Sequence, residues 1–394
     1  MISENMKDLV KNSSVIRAMF EDGKKLEAIH GVGNVFDFSI GNPYVEPPKE
    51  VKDAIIEILS EENQNLVHGY MNNAGYEDVR KAIADYTNKE KGTNLSEDNI
   101  IMTCGAAGGL NIIFRSLLNP GDEVLTFSPY FGEYNNYVAN YNGKLVEVKC
   151  DYDTFQPDLK LFEESINEKT KVVIVNTPNN PTGTIYSHET LSKMAEILYK
   201  KQEEFNKSIY LVSDEPYREL VYDDVEIPYL LNYYKNSFIG YSYSKSLSLP
   251  GERIGYITIN GEMDGFEEIS VALSVANRIL GFVNAPSLFQ RVIGRTLGAK
   301  VDVSLYKENR DVLYNHLISL GFECVKPEGA FYLFPKALIE DDVKFCNAAK
   351  KYNLIIVPGS SFGAPGYFRI AYCVSKEIVN KSLQAFTKLA EEFK

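Results

Sequence analysis

Between residues 100 and 259, seven short runs rich in β-branched and aliphatic residues alternate with longer stretches, several of them amphipathic. No other feature constrains the fold as strongly. The runs are 100–104, 123–127, 145–148, 172–175, 209–213, 238–242 and 255–259. Val172, Val173, Ile174 and Val175 are apolar at every position, not at every second one. A strand of that kind has to be covered on both faces. The stretches between have helical period: in 190–205, Leu191, Met194, Ala195, Leu198 and Tyr199 share one stripe. Strands alternating with helices predict an α/β fold, with a mostly parallel seven-stranded sheet flanked by helices.

Outside this region the texture differs. Pro47 and Pro48 precede a stripe of Val51, Ile55, Ile58 and Leu59. Proline suits a helix start, where its missing N–H would have no partner anyway. Beyond residue 285 a helical stretch leads to 323–326 and 331–334, then to the strand-like 354–357 and 368–371 and a last helix. This mixed order predicts a smaller α+β domain. The expected organisation is an N-terminal segment 1–48 joining the small domain, a large ligand-binding domain 49–285, and a small C-terminal domain 286–394.

Charge and composition exclude several classes. Acidic residues number 54 against 41 basic ones, a net charge of −13, whereas general nucleic-acid binding needs a basic face. The apolar runs are strand-sized, well short of the ~18 residues of a spanning helix. Residues 1–14 are polar and charged, without the apolar core of a signal peptide. The five cysteines are odd in number and scattered, which suits reduced thiols in a cytoplasmic protein. The four histidines lie far apart, so no local metal-ligand spacing is present.

In open α/β sheets, ligands gather beyond the carboxyl ends of the strands. Past 100–104 come Gly105, Ala106 and Ala107, opening a helix. Small residues there let backbone N–H groups approach an anion, although a tight strand-to-helix turn needs no ligand. Past 172–175 comes 176–183, either a plain turn or a device that fixes Asn180 beside a ligand through Pro181. Past 209–213 stands Asp214, which either caps a helix or faces a cationic group. Around 242–256 stand Ser242, Ser244, Lys245 and Arg253. Two hydroxyls and a guanidinium suit a phosphate, and a lysine among cations has a depressed pKa and can form a Schiff base. The plainer alternative is a solvated Ser/Lys loop.

Together and in order, these segments form a specific set: Ile40-Gly41-Asn42-Pro43, Tyr70, Gly105-Ala106-Ala107, Asn180-Pro181-Thr182-Gly183, Asp214 with Tyr217, Ser242, Ser244 and Lys245, Pro250-Gly251 with Arg253 and Gly255-Tyr256, and Phe368-Arg369-Ile370. The set resembles the class I/II pyridoxal-phosphate aminotransferases of fold type I, the aspartate aminotransferase-like group, over nearly the whole chain. The resemblance implies pyridoxal 5'-phosphate as cofactor, carried by Lys245 as a Schiff base, with Lys245 then moving the substrate proton. Asp214 would pair with the pyridine nitrogen and keep the ring an electron sink. Asn180 and Tyr217 would hydrogen-bond the ring oxygen, and Phe131 would stack on the ring, with Tyr130 as its competitor. The loop of Gly105, Ala106 and Ala107, with Ser242, Ser244 and Arg253, would hold the phosphate. Tyr70 would reach the phosphate of a neighbouring subunit, which implies a homodimer with shared active sites. Arg369 would take the substrate carboxylate, with Gly41 and Asn42 lining that side.

The implied reaction moves an amino group from an L-amino acid to a 2-oxo acid by ping-pong kinetics. The expected substrates are broad or of aspartate/aromatic type, with 2-oxoglutarate as one partner. Ala107 stands where some relatives carry lysine, so nothing basic marks a distal-carboxylate pocket there; Arg17 and Arg291 are either such groups or ordinary structural charges. A carbon–sulfur β-lyase on the same scaffold would keep the same residues. A cofactor-binding regulator without turnover would need a DNA-binding module, for which the acidic stretch before Pro48 is too short.

Overall fold

The structure, a computed structural model, describes residues 2–11, 15–31, 33–61 and 63–394. All seven expected strands form: β1 (Ile100–Thr103), β2 (Glu123–Ser128), β3 (Lys144–Lys149), β4 (Thr170–Asn176), β5 (Tyr210–Asp214), β6 (Ser237–Ser242) and β7 (Gly255–Ile259). They make one sheet in the order β1-β7-β6-β5-β4-β2-β3. Every pairing is parallel except those of β7, which runs antiparallel to both β1 and β6.

The all-apolar runs are explained by two helical layers. On β4, Val173 and Val175 join one core with Leu211, Ile239 and the helix faces of Ile58, Ile83, Leu191 and Leu198. Their neighbours Val172 and Ile174 join the opposite core with Val212, Phe238, Leu110, Ile113 and Leu273. Alternate side chains of one strand point to opposite faces, so both sets have to be apolar. Each fully buried aliphatic side chain contributes about 1.5–3 kcal/mol of burial energy. The edge strand β3 is the exception, with exposed lysines at both ends, as edges that resist further pairing tend to have.

A second core gathers Phe38, Leu313, Leu317, Phe345, Phe368, Phe386 and Leu389. It sits around a three-stranded antiparallel sheet of Val357–Pro358, Phe368–Ala371 and Tyr332–Leu333. Phe36–Asp37 pairs in parallel with Leu354–Ile355, tying the N-terminal segment to this unit. The strand-like run 354–357 thus divides between two sheets. The region 323–326 forms no strand. Helix Ser287–Arg295 begins just past residue 285, yet its Val292 and Ile293 pack in the core of the larger unit with Val51 and Val79.

Candidate active site

The loops at the carboxyl ends of the parallel strands meet the smaller unit around a cavity of about 580 Å³. Lining it are Gly41, Ala106, Ala107, Phe131, Asn180, Asp214, Tyr217, Ser242, Ser244, Lys245, Arg253 and Arg369. Residues far apart in the chain are therefore neighbours, as the motif set anticipates. Gly105, Asn42 and Tyr70 do not line it. Gly105 stands directly behind Arg253, Asn42 is exposed, and Tyr70 is 94% exposed on the surface of the single chain. Tyr130 points elsewhere, its hydroxyl donating to Glu147 at 2.7 Å, so Phe131 is the aromatic that faces the cavity. Arg291 stacks over Tyr76 at 4.1 Å and pairs with Asp78 at 3.8 Å, outside the cavity. The side chain of Arg17 lies outside the described residues.

Lys245 sits in a four-residue helix, Tyr243–Ser246, capped by the Ser242 hydroxyl. Its Nζ donates to the Gly41 carbonyl at 2.6 Å, and burial holds its pKa down at about 8, helped by Arg253 and Arg369. Desolvation disfavours the charged amine, and nearby guanidinium groups add to that. Asp214 ends β5 and is fully buried with its pKa pushed up to about 7, mainly by desolvation. Tyr134 donates to its Oδ2 at 2.7 Å, while Oδ1 is buried with no partner. A buried carboxylate oxygen left so calls for a cationic or N–H partner.

At the other end, the Ser242 and Ser244 hydroxyls lie 2.7 Å apart, and Arg253 Nη1 donates to Ser244 Oγ at 3.3 Å. Gly105 has φ +71° and opens the helix Gly105–Leu117; a Cβ there would lie 2.5 Å from Arg253 Nη2. Only glycine leaves the guanidinium its place. The first-turn N–H groups of that helix lack intrahelical acceptors and favour an anion.

Arg369, on the central strand of the small sheet, is 2% exposed. Its guanidinium lies between the rings of Tyr332 and Phe362, at 4.6 and 4.7 Å. It donates to Asn180 Oδ1 at 3.0 Å and to the Ser39 carbonyl at 2.5 Å, and Nε is buried with no partner. Among the described residues no carboxylate pairs with it within salt-bridge distance. A buried cation held only by neutral groups is poised for an anionic ligand.

Three further residues complete the site without having been singled out in the sequence. Tyr134, in the helix Glu133–Ala139, holds Asp214, and its ring meets that of Phe131 edge-to-face at 5.7 Å. Asn176 donates to the Asp214 carbonyl at 2.7 Å and accepts from the Asn180 N–H at 2.6 Å. It is the last residue of β4, where strand-end reasoning points. Tyr332 meets Tyr217 hydroxyl to hydroxyl at 2.8 Å, and no local signal announces it.

Gly41 has a packing role here. A Cβ on it would collide with the Tyr332 hydroxyl and lie 2.9 Å from the Phe331 ring. We expect Gly41→Ala to displace Tyr332 and the Lys245 acceptor together. The expected result is a loss of about 1–3 kcal/mol in urea unfolding, as overpacking costs, with kcat/KM down at least ~10-fold. Wild-type kinetics in this variant would refute the close fit.

The unpaired Asp214 oxygen, the hydroxyl–guanidinium cradle and the buried lysine between them fit pyridoxal phosphate: pyridine nitrogen at one end, phosphate at the other. Fold and site together define a pyridoxal-phosphate-dependent transferase of fold type I.

The chain belongs to the aminotransferase class I and II family, whose model matches residues 33–386. It is 32% identical to a probable aspartate/prephenate aminotransferase of Aquifex aeolicus over 372 residues, covering 91% of this chain and 92% of that one. An aspartate aminotransferase of Pyrococcus horikoshii is 30% identical over 97% of this chain and 96% of its own. A crystal structure of an amino transferase from Eubacterium rectale superposes with a TM-score of 0.97 at 46% identity, covering 100% and 99% of the two chains. An aspartate aminotransferase from Thermus thermophilus with maleate gives 0.86 at 28%, covering 96% and 97%. The protein is an aminotransferase and uses pyridoxal phosphate.

Proposed function

We propose that this enzyme moves amino groups between aspartate-type or aromatic L-amino acids and 2-oxoglutarate. The observation that carries the amino-acid part of this reading is Arg369: buried, lying over two rings, and held only by neutral groups among the described residues. It would take the α-carboxylate by a bidentate pair. The cavity cations Lys245, Arg253 and Arg369 are all assigned by this reading. The remaining walls include Ile40, Leu110, Tyr137 and Tyr332, which suit an aromatic side chain. The aspartate and prephenate activities come from the names of the relatives.

Bound pyridoxal phosphate supplies an electron sink that weakens the Cα–H bond of the amino acid. The residues around it have separate tasks. Lys245 Nζ, neutral in part near pH 8, would take the proton from Cα and deliver it to the aldehyde carbon of pyridoxal phosphate. Asp214 Oδ1 would hold the pyridine N–H. Tyr217 and Asn180 would donate to the ring oxygen, and Phe131 would cover the ring face. Ser242, Ser244, Arg253 and the N–H groups of Ala106 and Ala107 would hold the phosphate.

Tyr70 would cross to a neighbouring subunit's site, which makes the working enzyme a homodimer; its exposure in the single chain supports this. We place it in the cytoplasm on its scattered free thiols. Among the described residues no helix is long and apolar enough to cross a membrane. Nothing observed favours the lyase reading.

A substrate panel tests the assignment. Aspartate, phenylalanine and tyrosine should each reduce the visible band of the holoenzyme in single turnover, and 2-oxoglutarate should restore it. No turnover of any dicarboxylic or aromatic pair would overturn it.

A further inference from the structure

Tyr332 belongs to the small sheet, not to the sheet that carries the rest of the cofactor site. It lines the cavity and touches two functional groups at once. Its hydroxyl lies 2.8 Å from that of Tyr217, and its ring lies 4.6 Å from the Arg369 guanidinium. Both tyrosines are buried, with rings edge-to-face at 5.7 Å. Phe331 packs edge-to-face against each of them, fixing the arrangement. Gly41 leaves space for the Tyr332 hydroxyl, as described above.

We infer that Tyr332 is a positioning residue with two separable tasks: its hydroxyl strengthens Tyr217 as a donor, and its ring orients Arg369. This rests on the proposed function, in which Tyr217 donates to the ring oxygen of pyridoxal phosphate. Once the Tyr217 proton points there, its oxygen is free to accept. Tyr332 is the hydroxyl beside it. A donor that itself accepts a hydrogen bond is polarised and donates more strongly. Burial raises the pKa of both phenols, Tyr332 to about 12 and Tyr217 well above its ordinary value, so each keeps its proton at neutral pH. The ring task is independent. A desolvated guanidinium over an aromatic face is held in plane by the ring quadrupole. Here that fixes the guanidinium between Tyr332 and Phe362.

The two tasks predict different phenotypes for two variants of the holoenzyme. Tyr332→Phe keeps the ring and removes the hydroxyl. With Tyr217 a weaker donor, the negative ring oxygen is less stabilised and holds its shared proton more tightly. The midpoint of the visible-absorbance titration should therefore rise by about 0.5 to 1 pH unit. KM for the amino acid should stay within about twofold, because the ring remains under Arg369. Tyr332→Leu removes both groups. It should show the same midpoint shift and also raise KM roughly tenfold. A Tyr332→Phe midpoint equal to wild type would overturn the hydroxyl task. A Tyr332→Leu KM equal to that of Tyr332→Phe would overturn the ring task. Should the leucine variant not fold, the Tyr332→Phe titration still decides the hydroxyl task, and the KM of Tyr332→Met, which also lacks the ring, decides the ring task by the same comparison. A wild-type protein without any visible band after incubation with pyridoxal phosphate would instead sink the proposed function, and this inference with it.

Discussion

Replacing Lys245 by alanine should lower kcat by about 10⁴-fold, the upper range for loss of a positioned proton-transfer group. The cavity offers no substitute. Its other cations, Arg253 and Arg369, are guanidinium groups that do not give up a proton near neutral pH. Lys245 alone combines an amine, burial, and a pKa brought down to about 8. The checking measurement is oxo-acid formation by the purified variant at saturating substrate, alongside borohydride treatment of both proteins and peptide mapping. Wild type should carry the cofactor label at residue 245 and the variant none. A variant within tenfold of wild-type kcat, or a label on another side chain, would refute the role.

The second large effect concerns Asp214. Replacing it with asparagine should cut kcat by about 10³-fold, because the pyridine nitrogen loses the charge that faces it. The same change should have the opposite effect on the cofactor-free protein. There the folded pKa of about 7 lies above the ordinary 3.8, because burial disfavours the carboxylate. The folded chain therefore binds more protons than the unfolded chain between about pH 4 and 7. Its stability falls as pH rises through that window and stays lower above it. The full effect is on the order of 4 kcal/mol from the size of the shift. Without cofactor at about pH 8, Asp214→Asn should melt a few degrees above wild type, and at about pH 4 the gap should close. With pyridoxal phosphate bound, the order should reverse, since the cationic nitrogen pulls the Asp214 pKa down and pairs with it. Equal melting temperatures in both forms at about pH 8 would mean that Asp214 is not the strained group described here.

How far the site could be read in advance depended on where its residues stand. Asn180, Asp214, Ser242 and Lys245 follow or end strands that are buried along nearly their whole length, and strand ends are where open sheets bind ligands. The strands formed within about two residues of the expected positions, because a doubly covered strand writes its burial into consecutive residues. The region 354–357 was different. Four apolar residues look like one strand, but they cross from one small sheet to another, and composition does not record a change of partner. Helix Ser287–Arg295 is a similar case: an amphipathic stripe requires a cover without saying which core provides it.

The sequence by itself determined the kinds of element, the two-faced burial of the central sheet, and which lysine, acid and arginines stand as candidates for the proposed chemistry. These are local matters of side-chain type and spacing. Only the tertiary structure decided that β7 inserts antiparallel between β1 and β6, that Tyr134 reaches Asp214 across 80 residues, and that Tyr332 reaches Tyr217 across 115. Contacts of that range form where several elements bury their apolar faces together, and each partner is fixed by the sum of that packing rather than by any stretch of chain.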